Sequence, residues 1–208
     1  MEISAVFITY NEERRLELAL KSVANIASEI IIVDSLSTDE TLKIARKYTN
    51  KIFERKWTNF ADQKNFANSQ ASCPWILSLD ADERISPELR QEIAELKKGE
   101  PLCSAFSMPR KVFYLGKWIR HSGWYPDRKL RLFRRDKARW EGDYVHEDLV
   151  VRGRVEKLKG SIHHFTYRSI GDHLGRINKF SDLGAQKLYA QKKPVSYTHL
   201  RAHETGRN

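Results

Sequence analysis

The feature that most restricts this chain is the strict alternation of its first hundred residues. Short apolar runs that read as strands take turns with longer stretches carrying apolar residues at helical spacing. The strands are ISAVFITY (3–10), EIIIVD (29–34), KIFERK (51–56) and WILSLD (75–80). Between them lie EERRLELALKSVAN (12–25), with Leu16, Leu20 and Val23 on one helical face, then STDETLKIARKYT (37–49) and FADQKNFANSQAS (60–72). A fourth helix, SPELRQEIAELKKG (86–99), has Ser86 as its cap, Pro87 in its first turn and Gly99 as its stop. Ser37 or Thr38 is expected to open the second helix. Such alternation dictates βαβ units and a mainly parallel sheet. A strand as apolar as EIIIVD belongs in a sheet covered on both faces. Ligands of such sheets sit outside the carboxyl ends of the strands. That rule gives one address to Thr9, Asn11 and Glu12, to Asp34, and to Asp80 and Asp82.

After residue 100 the pattern changes. AFSMPRKVFYLGKWI (105–119), KLRLFRRD (129–136), ARWEGDYVHEDLVVRG (138–153) and EKLKGSIHHFTYRS (156–169) alternate as antiparallel strands do. DHLGRINKFSDLGAQKLYAQKK (172–193) reads as an amphipathic helix, with Leu174, Ile177, Leu183 and Leu188 near one side. The fold expected is α/β, a mainly parallel sheet flanked by helices with a small antiparallel extension and a C-terminal amphipathic helix. Residues 1–193 are expected to form one domain, with a nucleotide-binding half (1–100) and an acceptor or catalytic half (101–193). The remainder, 194–208, contains VSYTHLRAHET, which resembles the frame translation of a sequencing-library adapter. It is expected to be artefactual, and His199 and His203 carry no functional weight.

No apolar run approaches the roughly 20 residues that span a bilayer. The strand-like start leads to the expectation that there is no signal peptide. Cys73 and Cys103 fit neither a disulfide framework nor a zinc pattern, so the cytoplasm is the expected compartment. The net charge of +10 favours an anionic partner without choosing among nucleic acid, acidic lipid and phosphorylated small molecules.

The strongest local signal is LDADE (79–83). Like charges packed this closely repel unless something compensates. Alternate residues of an extended segment share a side, so Asp80 and Asp82 can converge on one hard cation. Magnesium and manganese take oxygen ligands and often keep substrate phosphates in their shell. A solvated acidic turn is the alternative, and the position at a strand end argues against it. Asp34 follows an apolar strand, where its carboxylate can face a nucleobase or ribose. Asp39 reads as part of a helix start. Gln63, Lys64 and Asn65 can contact a diphosphate or form an ordinary polar helix face. In VHED (145–148), Glu147 can take a proton from an attacking hydroxyl or pair with an arginine at a strand edge. One of His163 and His164 can supply a neutral imidazole to a metal, while neighbours in a strand point apart. Arg128, Lys129, Arg131, Arg134 and Arg135 form a basic stripe that can meet phosphate or simply face water.

Together TYNE, IIVDSLSTDET, FADQKNFA, WILSLDADE, GWYPDRKLRLFRR, YVHEDL and IHHFTY resemble glycosyltransferase family 2, in order and at fitting spacing. The bacterial lipopolysaccharide core glycosyltransferases of that family are the nearest resemblance, over residues 3–193. The resemblance implies a GT-A fold, a nucleoside-diphosphate sugar donor (commonly a UDP-sugar), a divalent magnesium or manganese ion, and inversion at the anomeric carbon. It assigns the nucleoside to Thr9, Asn11, Glu12 and Asp34, and the donor's vicinity to Lys64 and Gln63. Asp80 would touch ribose or sugar, Asp82 would ligate the metal with His163 or His164, and Glu147 would be the general base. The acceptor would be a glycan or glycolipid, and contact with the anionic cytoplasmic face of the inner membrane is consistent with the charge. Two other readings stay open: a nucleotidyltransferase, which normally has a glycine-rich phosphate loop where TYNEERR has no glycine, and a nucleic-acid binder, for which acidic strand ends are unsuited.

Overall fold

The structure, a computed structural model, describes residues 1–121, 124–142, 147–167 and 169–190. The adapter-like tail, Arg168, and Val145 and His146 of the VHED motif lie outside the described residues. The chain divides into two compact units, residues 1–169 and 170–208.

The first unit opens with β1 (Ile3–Thr9), α1 (Leu16–Val23), β2 (Glu29–Asp34), α2 (Thr41–Ala45), β3 (Ile52–Glu54), α3 (Phe60–Ser69) and β4 (Trp75–Asp80). Then come β5 (Glu83–Ile85), α4 (Pro87–Leu96), β6 (Ala105–Tyr114), β7 (Lys117–Trp118) and β8 (Asp127–Arg134). It closes with β9 (Ala138–Gly142), β10 (Glu147–Val151), β11 (Val155–Lys157) and β12 (Ile162–Tyr167). The main sheet has the order β3-β2-β1-β4-β8-β6-β12-β5, with β7 and β11 also paired to β6. The first four strands are parallel. β8 runs antiparallel to both β4 and β6. β9 and β10 form a separate antiparallel pair.

Both faces of the parallel strands are covered, which accounts for their unbroken apolar sequences. Ile30 and Ile32 pack into one core with Leu16, Leu20 and Leu89. Ile31 and Val33 pack into the other with Ala67, Trp140 and Leu149, so the small sheet lies on the same face as α3. α4 begins as its sequence dictates: the Ser86 hydroxyl accepts from the Leu89 N–H at 3.1 Å, and Pro87 occupies the first turn.

Four elements differ from expectation. α2 starts at Thr41 with no side-chain cap, because Ser37 and Thr38 bond to Asp34 and Asn11 instead. β5 follows the acidic motif at once and pairs antiparallel with β12, a strand too short for periodicity to reveal. β12 in turn runs parallel to β6, so the second half completes the main sheet as well as adding antiparallel strands. The expected strand 105–119 breaks at a turn where Leu115 and Gly116 take φ of 46° and 84°.

In the second unit, α5 (Ile170–Ala190) is a single helix on which Leu174, Ile177 and Leu188 are exposed. No helix among the described residues is long and apolar enough to cross a membrane.

Candidate active site

The register sets the site. Thr9 lies level with Asp34, and Ile8 lies level with Asp80, so the strand-end residues of β1, β2 and β4 share one edge. They do so in different ways. Asp34 is fully buried and accepts from the Thr9 hydroxyl at 2.6 Å, and from the Ser37 N–H and hydroxyl at 2.7 Å each. The sequence had this carboxylate facing a ligand; its own loop encloses it, because Leu36 at φ 65° turns Ser37 back onto it. Asn11, at φ 53°, ties the first loop to the second: its N–H donates to the Ser37 hydroxyl, and its side-chain oxygen accepts from the Thr38 N–H. The Glu12 N–H donates to Thr41. Asp39 accepts from the N–H groups of Glu13 and Thr41, and so belongs to the loop frame. A small cavity of about 170 Å³ opens beside Asn11, Glu12, Arg15 and Asp39.

Gln63 also departs from expectation. It is fully buried, donates to the Ser35 hydroxyl at 3.1 Å, and braces α3 against the loop after β2. Its neighbour Lys64 is 2% exposed. The Lys64 ammonium reaches Asp80 Oδ1 at 3.0 Å and Glu147 Oε1 at 2.8 Å, and lies 4.5 Å from the centre of the Trp140 ring. Arg131 Nη2 takes the other Asp80 oxygen at 2.8 Å and, with Nε, grips both oxygens of the fully buried Glu83. Burial opposes charge on Asp80, yet Lys64 and Arg131 outweigh it and hold the carboxyl well below the usual range. Burial likewise works against Arg131, and Glu83 and Asp80 more than compensate, pushing it above the ordinary arginine value. Asp80 is therefore the hub of a charge chain, with both oxygens already engaged by cations, and not the open donor contact the sequence suggested.

Asp82 is placed differently. Its Oδ2 lies 3.4 Å from His164 Nε2 and 3.8 Å from Arg15 Nη1. Arg15 is buried, donates to the Thr166 carbonyl at 2.9 Å and stands 3.7 Å from Glu12. His163 faces the other side of β12. Its ring lies 4.5 Å from that of Trp118 and lines a groove of about 940 Å³ along α4. Burial and Lys111 push its pKa down. Alternation of side chains along a strand thus separates the two histidines, and His163 drops out of the metal set.

Asp82 and His164 fit a divalent ion. Their facing atoms are close to the ~3 Å that separates neighbouring ligands of an octahedral cation with bonds of about 2.1 Å. The other ring nitrogen of His164 is buried without a hydrogen-bond partner among the described residues, so nothing there fixes the tautomer away from Nε2 ligation. The described residues contain no group of three metal-ligating side chains. The remaining positions would fall to phosphate oxygens and water, as is usual for magnesium.

Sequence reasoning missed Arg15, and it gave Arg131 as meeting phosphate or water where it meets carboxylates. Arg131 belonged to the basic stripe, but the pairing of β6 with β8 slips between Phe106 and Ser107, whose partners are Leu132 and Leu130. Arg131 is the extra residue of this bulge, and it is buried facing Trp140, on the same side as Phe133 two residues on. Arg15 sits just before α1 and gives no sequence signal beyond its charge.

The parallel-then-mixed sheet, with acids gathered at its carboxyl edge, is the architecture of GT-A glycosyltransferases. Solved structures share it. A Pyrobaculum calidifontis mannosyltransferase, solved with GDP-Man and Mn²⁺, superposes with a TM-score of 0.61 over 94% of this chain and 65% of its own, at 17% identity. S. aureus TarS 1–349, solved with UDP-GlcNAc, gives 0.55 over 81% and 60%, at 19% identity. Residues 4–151 match the family described as Glycosyl transferase family 2. The chain belongs to that family and is a glycosyltransferase. Among curated proteins it is 33% identical, over 95% of its length and 76% of the relative's, to the lipopolysaccharide core biosynthesis glycosyltransferase LpsC of Rhizobium meliloti. Of the readings the sequence left open, this supports the glycosyltransferase over the nucleotidyltransferase and the nucleic-acid binder.

Proposed function

We propose that the chain is an inverting glycosyltransferase that moves a sugar from a nucleoside-diphosphate sugar, with UDP-sugars first among the candidates, to a glycan or glycolipid acceptor. The reading places it in lipopolysaccharide core or related cell-envelope polysaccharide synthesis on the cytoplasmic side, with residues 1–193 working as one domain. One observation carries it: Glu147 and Asp80 meet on the same lysine, although Glu147 is 83 residues from Lys64 in sequence. A candidate base and the acidic motif are thereby held at one carboxyl edge.

In the mechanism, Glu147 accepts the proton of an acceptor hydroxyl. The freed oxygen attacks the anomeric carbon opposite the diphosphate, and the bond to the diphosphate breaks with its electron pair on the leaving oxygen. Asp82 and His164 would hold the divalent ion, which when bound offsets the charge of the diphosphate. Arg15, 3.8 Å from Asp82, adds fixed positive charge on the same side. Thr9, Asn11, Glu12 and Asp34 shape the loops against which the nucleoside would rest. The exposed Leu174, Ile177 and Leu188 of α5 support peripheral contact with an anionic membrane surface.

The test is a panel of nucleotide sugars, each assayed with Mg²⁺ or Mn²⁺ and with EDTA, for thermal stabilisation and for release of nucleoside diphosphate. One nucleoside class should raise Tm and be turned over only with metal. No response to any nucleotide sugar under any metal condition would sink the reading.

A further inference from the structure

A lysine that is 2% exposed needs an account of every donor it carries. Lys64 has three N–H groups and three acceptors around it: Asp80 Oδ1, Glu147 Oε1 and the face of Trp140. Two carboxylates compensate its charge, so the buried ammonium is satisfied. Its contacts use all of its donors within the protein, which is not how a residue waiting for a substrate phosphate is arranged.

The next residue extends the pattern. The Asn65 side-chain amide donates to the Trp140 carbonyl at 2.8 Å, and its oxygen accepts from the Trp140 N–H at 3.0 Å. Trp140 lies on β9 and pairs with Leu149 of β10. Two successive residues of α3 therefore grip the small sheet, Asn65 by the backbone of β9 and Lys64 by the first side chain of β10. Lys64 is in turn anchored to Asp80 at the end of β4, and Asp80 to the bulged Arg131. The sequence of charges is Glu83, Arg131, Asp80, Lys64, Glu147, with alternating sign throughout.

We infer that Lys64 is a positioning residue for sugar transfer: it fixes the Glu147 carboxylate of the small sheet against the acidic motif of the main sheet. This rests on the reading of Glu147 as the base. One Glu147 oxygen is held by Lys64, and among the described residues the other accepts no protein hydrogen bond, which leaves it for the acceptor hydroxyl. Lys64 acts through Glu147 and not on the donor.

The experiment is a double-variant cycle on the full chain, with Lys64→Met, Glu147→Gln and both together, read as kcat and donor KM separately. Lys64→Met should lower kcat by about 100-fold with donor KM within about 3-fold, and should add no further loss to Glu147→Gln. Lys64→Ala should recover part of its kcat, saturably, with added propylamine. A raised donor KM at unchanged kcat would make Lys64 a donor contact and overturn the inference. Losses that multiply in the double variant would overturn it while leaving Glu147 as the base. Full turnover by Glu147→Gln alone would remove the base reading, and the inference with it. If Lys64→Met does not fold, Glu147→Asp keeps a base but draws it away from Lys64. That variant should lose kcat at constant donor KM, and normal kcat would overturn the inference.

Discussion

The same parallel strands carry paired acids at both ends, and the two ends are satisfied differently. At the amino edge, Glu29 at the start of β2 accepts from the Ser4 hydroxyl, from the Ser72 N–H at 2.6 Å and from Lys51. At the carboxyl edge, Asp80 and Asp82 are held by Lys64, Arg131 and Arg15, with His164 beside Asp82, on α3, β8, the approach to α1 and β12. The amino edge uses hydroxyls, a backbone N–H and one half-exposed lysine to tie neighbouring segments together. The carboxyl edge gathers buried cations from distant segments around carboxylates that remain partly open. The first arrangement ties segments together; the second gathers charge in the region where such sheets bind ligands.

Glu147→Gln is the sharpest way to break this contrast. It should cut sugar transfer by about 10³-fold while donor binding, followed by nucleotide-dependent thermal stabilisation, stays near that of the parent. Retained turnover would place the carboxyl edge on the same structural footing as the amino edge. Asp82→Asn should weaken metal-dependent donor binding by at least about 10-fold, with a smaller effect in the absence of metal. A metal titration identical to that of the parent would remove Asp82 from the ligand set. At the other end, Glu29→Gln should leave transfer kinetics unchanged and lower stability alone, most above about pH 4.5. Burial pushes the Glu29 pKa up, but Lys51, Ser4 and Ser72 outweigh it and bring it down to about 2 from an ordinary 4.5. Because the folded value is the lower one, this stabilisation is complete above about pH 4.5 and is lost as pH falls towards 2. A shift of this size corresponds to about 3 kcal/mol, and screening of the half-exposed Lys51 reduces the expected effect to about 1–2 kcal/mol. Denaturant melts of parent and variant should therefore converge between pH 4.5 and pH 2, and a constant gap across that range would contradict the role of Glu29.

The acidic motif was legible because an apolar strand running into LDADE can end in only one kind of place in a parallel sheet. Glu147 came from the resemblance of its motif, and its partnership with Lys64 did not, since nothing local links residues 83 apart. Asp34 had the same strand-end signature as Asp80, yet only Asp34 is enclosed by its own loop, a difference set by Leu36 and Ser37. The pair of histidines was recognised, and the side each faces followed only when β12 was set between β5 and β6.

By itself the sequence determined the alternation of elements, the parallel first half, the capping of α4 and the edge at which the acids collect. Hydrophobic periodicity, caps and strand ends are local, and they are written into neighbouring residues. The tertiary structure alone decided which cation meets which acid. It buried Arg131 against Asp80 and Glu83, seated Lys64 between two sheets and put His164 rather than His163 beside Asp82. Such pairings depend on register and on the approach of segments distant along the chain, and Coulombic attraction selects among them only after packing has brought the groups within a few ångströms.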